Sequence, residues 1–386
     1  MSGIDAARGL ALAGMMGIHI LPAYDSETFE PTLQWTLFSG KAAALFVLLA
    51  GISLAFSSGG RNVHQGRDMV ATRVGLLVRA LLITTIGLLI GAVMPSPAPA
   101  FSILVYYGMF FLLAIPFLGL KPRTLLACSA AFAVFAPFLM QGLRDELPGV
   151  GAYNPTFTDL ISDPWTLFTQ LLLTGTYPAL PYMTFICAGL AIGKLDLSDT
   201  LLHSRLLIGG AVLGLLAWVS SWFFLFPLGG YLQLMENTPW LGEELIDEVI
   251  VWGPDPTLPT TTWWWLTIAG PHTNTPFGLL LSLGVGMAVL GLFLLVSRKI
   301  ETWLLPLTAM GSMTLTLYSA HLLALSLELH YDDPEPWFLA HLIVAALFAV
   351  IWRKFLGQGP LERLTTKAVR ITRQRVLTRP ENTREI

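Results

Sequence analysis

Apolar runs of about 20 residues recur along this chain, and the loops between them alternate in charge. In lipid every backbone N–H and C=O must be satisfied within the segment, so each such run is read as a membrane-crossing helix. Ten segments qualify, near 9–23, 35–57, 72–94, 101–120, 124–141, 178–194, 206–227, 276–297, 303–327 and 336–356. Composition agrees: 54% of the residues are hydrophobic and 12% charged, against about 25% charged in a soluble domain. The expected fold is an all-α polytopic integral membrane protein with about ten transmembrane helices. The stretch WTLFTQLLLTGTYPALP from Trp165 is too short and too interrupted, by Gly175 and Pro178, to cross alone. An interfacial or re-entrant helix is expected over 165–177.

Loop charge sets the expected orientation. The loops at 24–34, 142–177, 228–275 and 328–336 hold seventeen acidic residues, and Arg144 is their only Lys or Arg. The alternate loops carry Arg61, Arg67 and Arg73, then Lys121 and Arg123, Lys194 and Arg205, Arg298 and Lys299, and Arg353 with Lys354. Positive loops stay in the cytoplasm, which puts both termini inside. A single transmembrane domain over 1–356, with a long extracytoplasmic loop at 228–275, is followed by a basic tail at 357–386. In the tail, Arg363, Lys367 and Arg370 are spaced i, i+4, i+7. That spacing suits a helix on an anionic leaflet, or a solvated tail without a fixed helix. The first apolar run begins with Asp5 and lacks a small-residue cleavage site, so it reads as a retained helix rather than a signal peptide. Cys128 and Cys187 lie in apolar segments and read as small buried hydrophobes rather than a disulfide.

Ionisable groups inside a membrane are costly and point to function. In the expected orientation Arg8 lies at the inner face of the first span, with Asp5 three residues before it. His19, Lys41, His321, His272 and His341 all fall towards the outer side. Thr314, Tyr318 and His321 share one stripe of the ninth span. Plainer roles exist for most of these. Lys41 can snorkel, Tyr318 and His321 can bond neighbouring helices, His341 beside Trp337 suits an interfacial belt, and His272 can be a loop residue.

Arg8 and His19 are eleven positions apart in GIDAARGLALAGMMGIHIL. At about 100° and 1.5 Å per residue they share a face, separated by about 16 Å along the axis. One stripe thus offers a guanidinium to the cytosol and an imidazole near the far side. A coenzyme A thioester matches it, with phosphates at one end and the acyl group at the other. Arg8, paired with Asp5, would attract phosphate, and His19 would act as general base towards an incoming hydroxyl or amine.

At these residues the chain resembles the transmembrane acyltransferases. RGLALAGMMGIH is similar to the Arg-x10-His motif of acyltransferase-3 membrane proteins, while IDAARGLALAGMM is similar to heparan-α-glucosaminide N-acetyltransferase-like proteins and their bacterial relatives. FSGKAAALFVLLAGISLAF, GTYPALPYMTFICAGLAIGKLDL, and GSMTLTLYSAHLLAL with GPLERL also resemble that second group, in the same order along the chain. The resemblance implies acyl transfer, most often of acetyl, from cytosolic acyl-CoA to an extracytoplasmic glycan, glycolipid or other envelope acceptor, without a metal. It implies a catalytic base at His19 and places the motif arginine at Arg8; from their positions alone, Lys41 (as an oxyanion donor) and His321 are further catalytic candidates, and Asp5 joins Arg8 in binding the donor. Acceptor contacts are expected from His272, Tyr318 and Thr314. The chain departs from the eukaryotic heparan enzyme in its first outer loop, LPAYDSETFEPTLQ, which lacks that enzyme's histidine, so direct transfer with His19 as base is expected. The expected partners are membrane lipid and a glycan or lipid-linked sugar, with homodimerisation open and no nucleic acid. The expected location is a bacterial plasma membrane.

Two further alternatives stay open at this level. Trp240, Trp252 and the run Trp263–Trp265 suit either sugar stacking or an aromatic belt. Buried histidines would also suit a proton-coupled transporter, although no repeat relates the two halves and Arg8 would then have no particular partner.

Overall fold

The computed structural model describes residues 2–297, 299–329 and 331–378. Arg298 and the tail beyond 378 lie outside the described residues. Among the described residues seventeen α-helices follow one another. The first six are α1 (Ser2–Ile20), α2 (Leu33–Phe38), α3 (Lys41–Ser57), α4 (Gly66–Gly91), α5 (Leu104–Ala114) and α6 (Pro122–Leu143). After them come α7 (Phe157–Ser162), α8 (Pro164–Thr169), α9 (Ala179–Gly193), α10 (Thr200–Leu225), α11 (Gly230–Asn237) and α12 (Gly242–Trp252). The last five are α13 (Pro276–Val296), α14 (Leu305–Gly311), α15 (Thr314–Leu325), α16 (Pro334–Leu356) and α17 (Pro360–Thr378). No strand occurs among the described residues, only an isolated bridge between Tyr24 and Pro31. The all-α expectation holds.

Among the described residues six helices are long and apolar enough to cross a membrane, and a seventh span forms if the bent pair around Gly175–Pro178 counts as one. Every one of the ten expected segments is helical. The first, fourth and ninth (α1, α5 and α14–α15) fall short of that criterion by length or composition. The expected break near 165–177 is present. After α8 the chain forms a π-helical turn at Gln170–Thr174, and the pair is bent by 51° before α9. Pro178 has no N–H to carry a helix through this point.

One expectation is corrected. The segment 303–327 is not a single helix, because it breaks at Ser312–Met313 into α14 and α15. Gly311 and Ser312 are poor helix formers. Gly311 also lies against the backbone of α1 so closely that an added Cβ would land on the carbonyl oxygen of Asp5. The chain crosses α1 at this point and then turns.

Loop hydrogen bonds sort the connections into the two sets that charge suggested. At one end Tyr153 bonds Asp255, Thr260 bonds Asp145, and the Trp35 indole reaches the Val251 carbonyl. At the other end Arg61 pairs with Asp196 at 2.8 Å, and Lys194 Nζ donates to the carbonyls of Leu118 and Leu120. The start of α1 packs by the end of α13, with Gly3 against Ser297. The tail is a defined helix docked on α4, where Gly75 meets Val369 and Arg373, and Arg67 reaches the Val376 carbonyl.

The loop at 228–275 forms its own lobe. Leu225, Leu234, Ile246, Leu258, Trp265 and Ile268 make a second small core. Trp265 is fully buried there and its indole N–H donates to Thr238 and Thr261, so neither sugar stacking nor a belt describes it. Trp263 is exposed and stacks on Phe138, and Trp240 is exposed. Cys128 and Cys187 are free thiols.

Candidate active site

A cavity of about 330 Å³ opens between α1, α3, α4, α5, α14–α15 and the tail helix. Its polar lining is unusual for a space between apolar helices. Arg8, Ser53, Arg79, Tyr107, Tyr318 and Glu362 face it, against an apolar wall that includes Met15, Phe46, Ile83 and Phe111. Apolar cavities with a few convergent polar groups are the usual form of ligand sites, and this volume is near their lower limit.

Each charged group has a definite setting. Arg8 donates to Asp5 at 2.7 Å one turn earlier on α1, and to the Ser53 hydroxyl at 2.6 Å on α3. Ser53 in turn donates its hydroxyl hydrogen bond to the Leu49 carbonyl at 2.7 Å. Arg79 comes from the middle of α4, and no hydrogen bond or ion pair holds it among the described residues. Glu362 comes from the first turn of α17 and accepts from the backbone N–H of Thr316 at 3.1 Å and from its hydroxyl at 2.6 Å. Two guanidiniums therefore share a cavity with one carboxylate that is already engaged. Guanidinium forks match phosphate oxygens in just this setting.

Towards the other end of the same helices stands a histidine cluster. His19 Nδ1 and His321 Nε2 are 3.1 Å apart, with their rings nearly parallel at 5.3 Å between centroids. The His341 ring sits edge-on to His321 at 5.3 Å, and His341 Nδ1–H donates to the Trp337 carbonyl. Tyr318 joins the two regions. It lines the cavity, its hydroxyl accepts from the Ile103 N–H at 3.4 Å, and its ring lies 6.5 Å from that of His321. His19 follows one turn after Met15, which also lines the cavity. Arg8 and His19 thus lie along the same inward stripe of α1, at and just beyond the two ends of the space.

The remaining sequence-predicted residues divide. Asp5 is beside Arg8, and Thr314 lines the cavity with Tyr318. Lys41 and His272 stand apart from it. Lys41, the first residue of α3, donates from Nζ to the carbonyl of Thr36 in α2 at 2.8 Å. His272 lies in the loop before α13 with a positive φ of 54°, edge-on to Tyr177. Burial, and secondarily the charge of Lys41, push the His272 imidazole down to about 4, so it is neutral at pH 7. Arg79 and Glu362 also face the cavity and His341 joins the histidine cluster; of the three, sequence position singles out His341. An arginine in the middle of the apolar run LLVRALLI is itself the intramembrane signal that finds Arg79. No group of three or more His, Cys, Asp or Glu side chains that could hold a metal occurs among the described residues.

Comparison with known proteins places this geometry in context. The family model described as heparan-alpha-glucosaminide N-acetyltransferase, catalytic, matches residues 1–232. That range covers α1, α3, α4 and α5, and hence Arg8, His19, Ser53, Arg79 and Tyr107. Neither a curated protein nor a solved structure matches the chain.

Proposed function

The chain belongs to the heparan-alpha-glucosaminide N-acetyltransferase catalytic family and is a multi-pass membrane acetyltransferase, and from that premise we propose that it moves an acetyl group from cytosolic acetyl-CoA to a hydroxyl or amine of an extracytoplasmic glycan or glycolipid. The observation that carries this reading is the single cavity shared by Arg8, Arg79 and Tyr318, with the His19–His321 pair behind Tyr318. Its 330 Å³ suits the acylated arm of the donor, with the nucleotide end extending past the tail residues Gln358 and Thr366. Loop charge supports entry of the donor from the basic end and of the acceptor from the acidic end.

In this reading Arg8 and Arg79 hold phosphate. The thioester lies near Tyr318. With His19 Nδ1–H donating to His321 Nε2, His19 presents Nε2 as the base. His19 takes the proton of the acceptor hydroxyl or amine as its oxygen or nitrogen attacks the thioester carbon. The C–S bond breaks, the thiolate recovers that proton from the imidazolium, and CoA leaves as the free thiol. The neutral His321 ring stabilises the transient His19 cation by accepting its Nδ1 hydrogen.

The test uses the purified full-length protein in nanodiscs, with acetyl-CoA binding and acetyl transfer or hydrolysis measured separately. His19→Ala is expected to abolish turnover while leaving acetyl-CoA binding within a few-fold, and Arg8→Ala to weaken binding. Wild-type turnover by His19→Ala, or a wild-type protein that binds no acetyl-CoA, overturns the reading.

A further inference from the structure

The break at Ser312–Met313 leaves a helix N-terminus inside the bundle, and its N–H groups need acceptors that water cannot supply there. α15 has no side-chain cap of its own, because Met313 at the N-cap position offers no oxygen. The acceptor arrives from 46 residues away. The Glu362 carboxylate takes the Thr316 N–H, the third of the helix, at 3.1 Å and the Thr316 hydroxyl at 2.6 Å. The Leu361 N–H then donates to the same hydroxyl oxygen at 3.1 Å. A negative group here also complements the positive end of the helix.

We propose that Glu362 is a positioning residue for acetyl transfer: from the tail helix it caps α15 and so sets the place of Tyr318 and His321, which ride on the next two turns. The two sequence stretches GSMTLTLYSAHLLAL and GPLERL thereby act as one unit, the second holding the first in register. Glu362 also faces the cavity beside Arg8 and Arg79, so its removal has two effects of opposite sign. Alignment of the histidine pair is lost, and repulsion of an anionic donor is relieved. A mere loss of folding would impair both turnover and donor affinity.

The kinetic arm rests on the acetyl-transfer reading, while the exchange arm does not. Glu362→Ala, Glu362→Gln and Thr316→Val are compared with the wild-type full-length chain in nanodiscs. Glu362→Ala is expected to lower kcat about fivefold, in step with the roughly fivefold shift that a lost cap brings to the population of the ordered helix end, with KM for acetyl-CoA unchanged or lower. Glu362→Gln keeps an acceptor for the Thr316 N–H and is expected to restore part of kcat. Hydrogen exchange of the peptide 314–321 is expected to quicken in Glu362→Ala, less in Glu362→Gln, and less again in Thr316→Val. The double variant Glu362→Ala/Thr316→Val is expected to be no worse than Glu362→Ala alone. Unchanged exchange in Glu362→Ala, additive effects in the double variant, or a raised KM with unchanged kcat would each overturn the proposal. A wild-type chain without transferase activity overturns the acetyl-transfer reading instead, and the exchange data still decide whether Glu362 caps α15.

Discussion

Gly311 offers a severe test of how tightly the site is held. An added Cβ there falls on the Asp5 carbonyl oxygen and reaches within 2.9 Å of the Gly9 nitrogen, so both neighbours are backbone and neither can swing aside. Gly9 makes the reciprocal contact with the Leu307 backbone. Two opposing magnitudes decide the outcome of Gly311→Ala. Helix propensity favours alanine by about 1 kcal/mol, whereas forcing a methyl into a filled contact costs about 1–3 kcal/mol or more. Overpacking against backbone wins, and α14 must part from α1 by a distance on the order of 1 Å. The cation end of the site is on α1 and His321 is on α15, which follows α14 directly, so the separation falls between Arg8 and His321. Misplacement of that size costs roughly a hundredfold in rate. Gly17→Ala is the control, because its Cβ would meet just the Phe338 and Leu21 side chains, at ordinary distances of 3.6 Å and beyond. Acetyl transfer and thermal unfolding in detergent measure both effects. Gly311→Ala is expected to lose about a hundredfold in transfer and to unfold at lower temperature, while Gly17→Ala keeps its activity and gains slightly in stability. Near-wild-type activity in Gly311→Ala would refute the view that this crossing positions the site.

Two other predictions concern charge. Arg79→Ala is expected to weaken acetyl-CoA binding by about ten- to a hundredfold, the range for a hydrogen bond to a charged group, and Arg79→Lys less. S-acetylpantetheine, which lacks phosphate, should bind both variants like wild type in calorimetric titrations, and an equal loss for that ligand would make Arg79 a packing residue. His272 takes up its proton near pH 6.5 when unfolded but only at about 4 when folded. Stability is therefore full above pH 6.5 and declines as pH falls towards 4, by up to ~3 kcal/mol. Thermal unfolding across that interval should show the decline in wild type and a flatter profile in His272→Gln.

Much of this architecture is legible in the sequence because it arises from local chemistry. Apolar runs of span length, punctuated by Gly and Pro, specify where helices form, and the sign of each loop's charge specifies which loops gather at one end. The pairing of Asp5 with Arg8 and the shared face of Arg8 and His19 follow from helix periodicity alone. Thr314, Tyr318 and His321 fall on one stripe for the same reason. Only tertiary structure decided which stripes face each other. No periodicity says that His19 meets His321 across 302 positions, that Arg79 turns towards Arg8, or that the Glu362 carboxylate of the tail closes a helix end within the bundle. At the break at Ser312–Met313, weak local propensity at Gly311 and Ser312 permits a break, and the backbone contact of Gly311 with α1 accompanies it. Lys41 and His272 share the expected depth with His19, yet depth along the membrane normal leaves the lateral position undetermined, and packing put them apart from the cavity. Sequence spacing determines position along a helix and around it, whereas neighbours across the bundle are selected by close packing of whole helix faces.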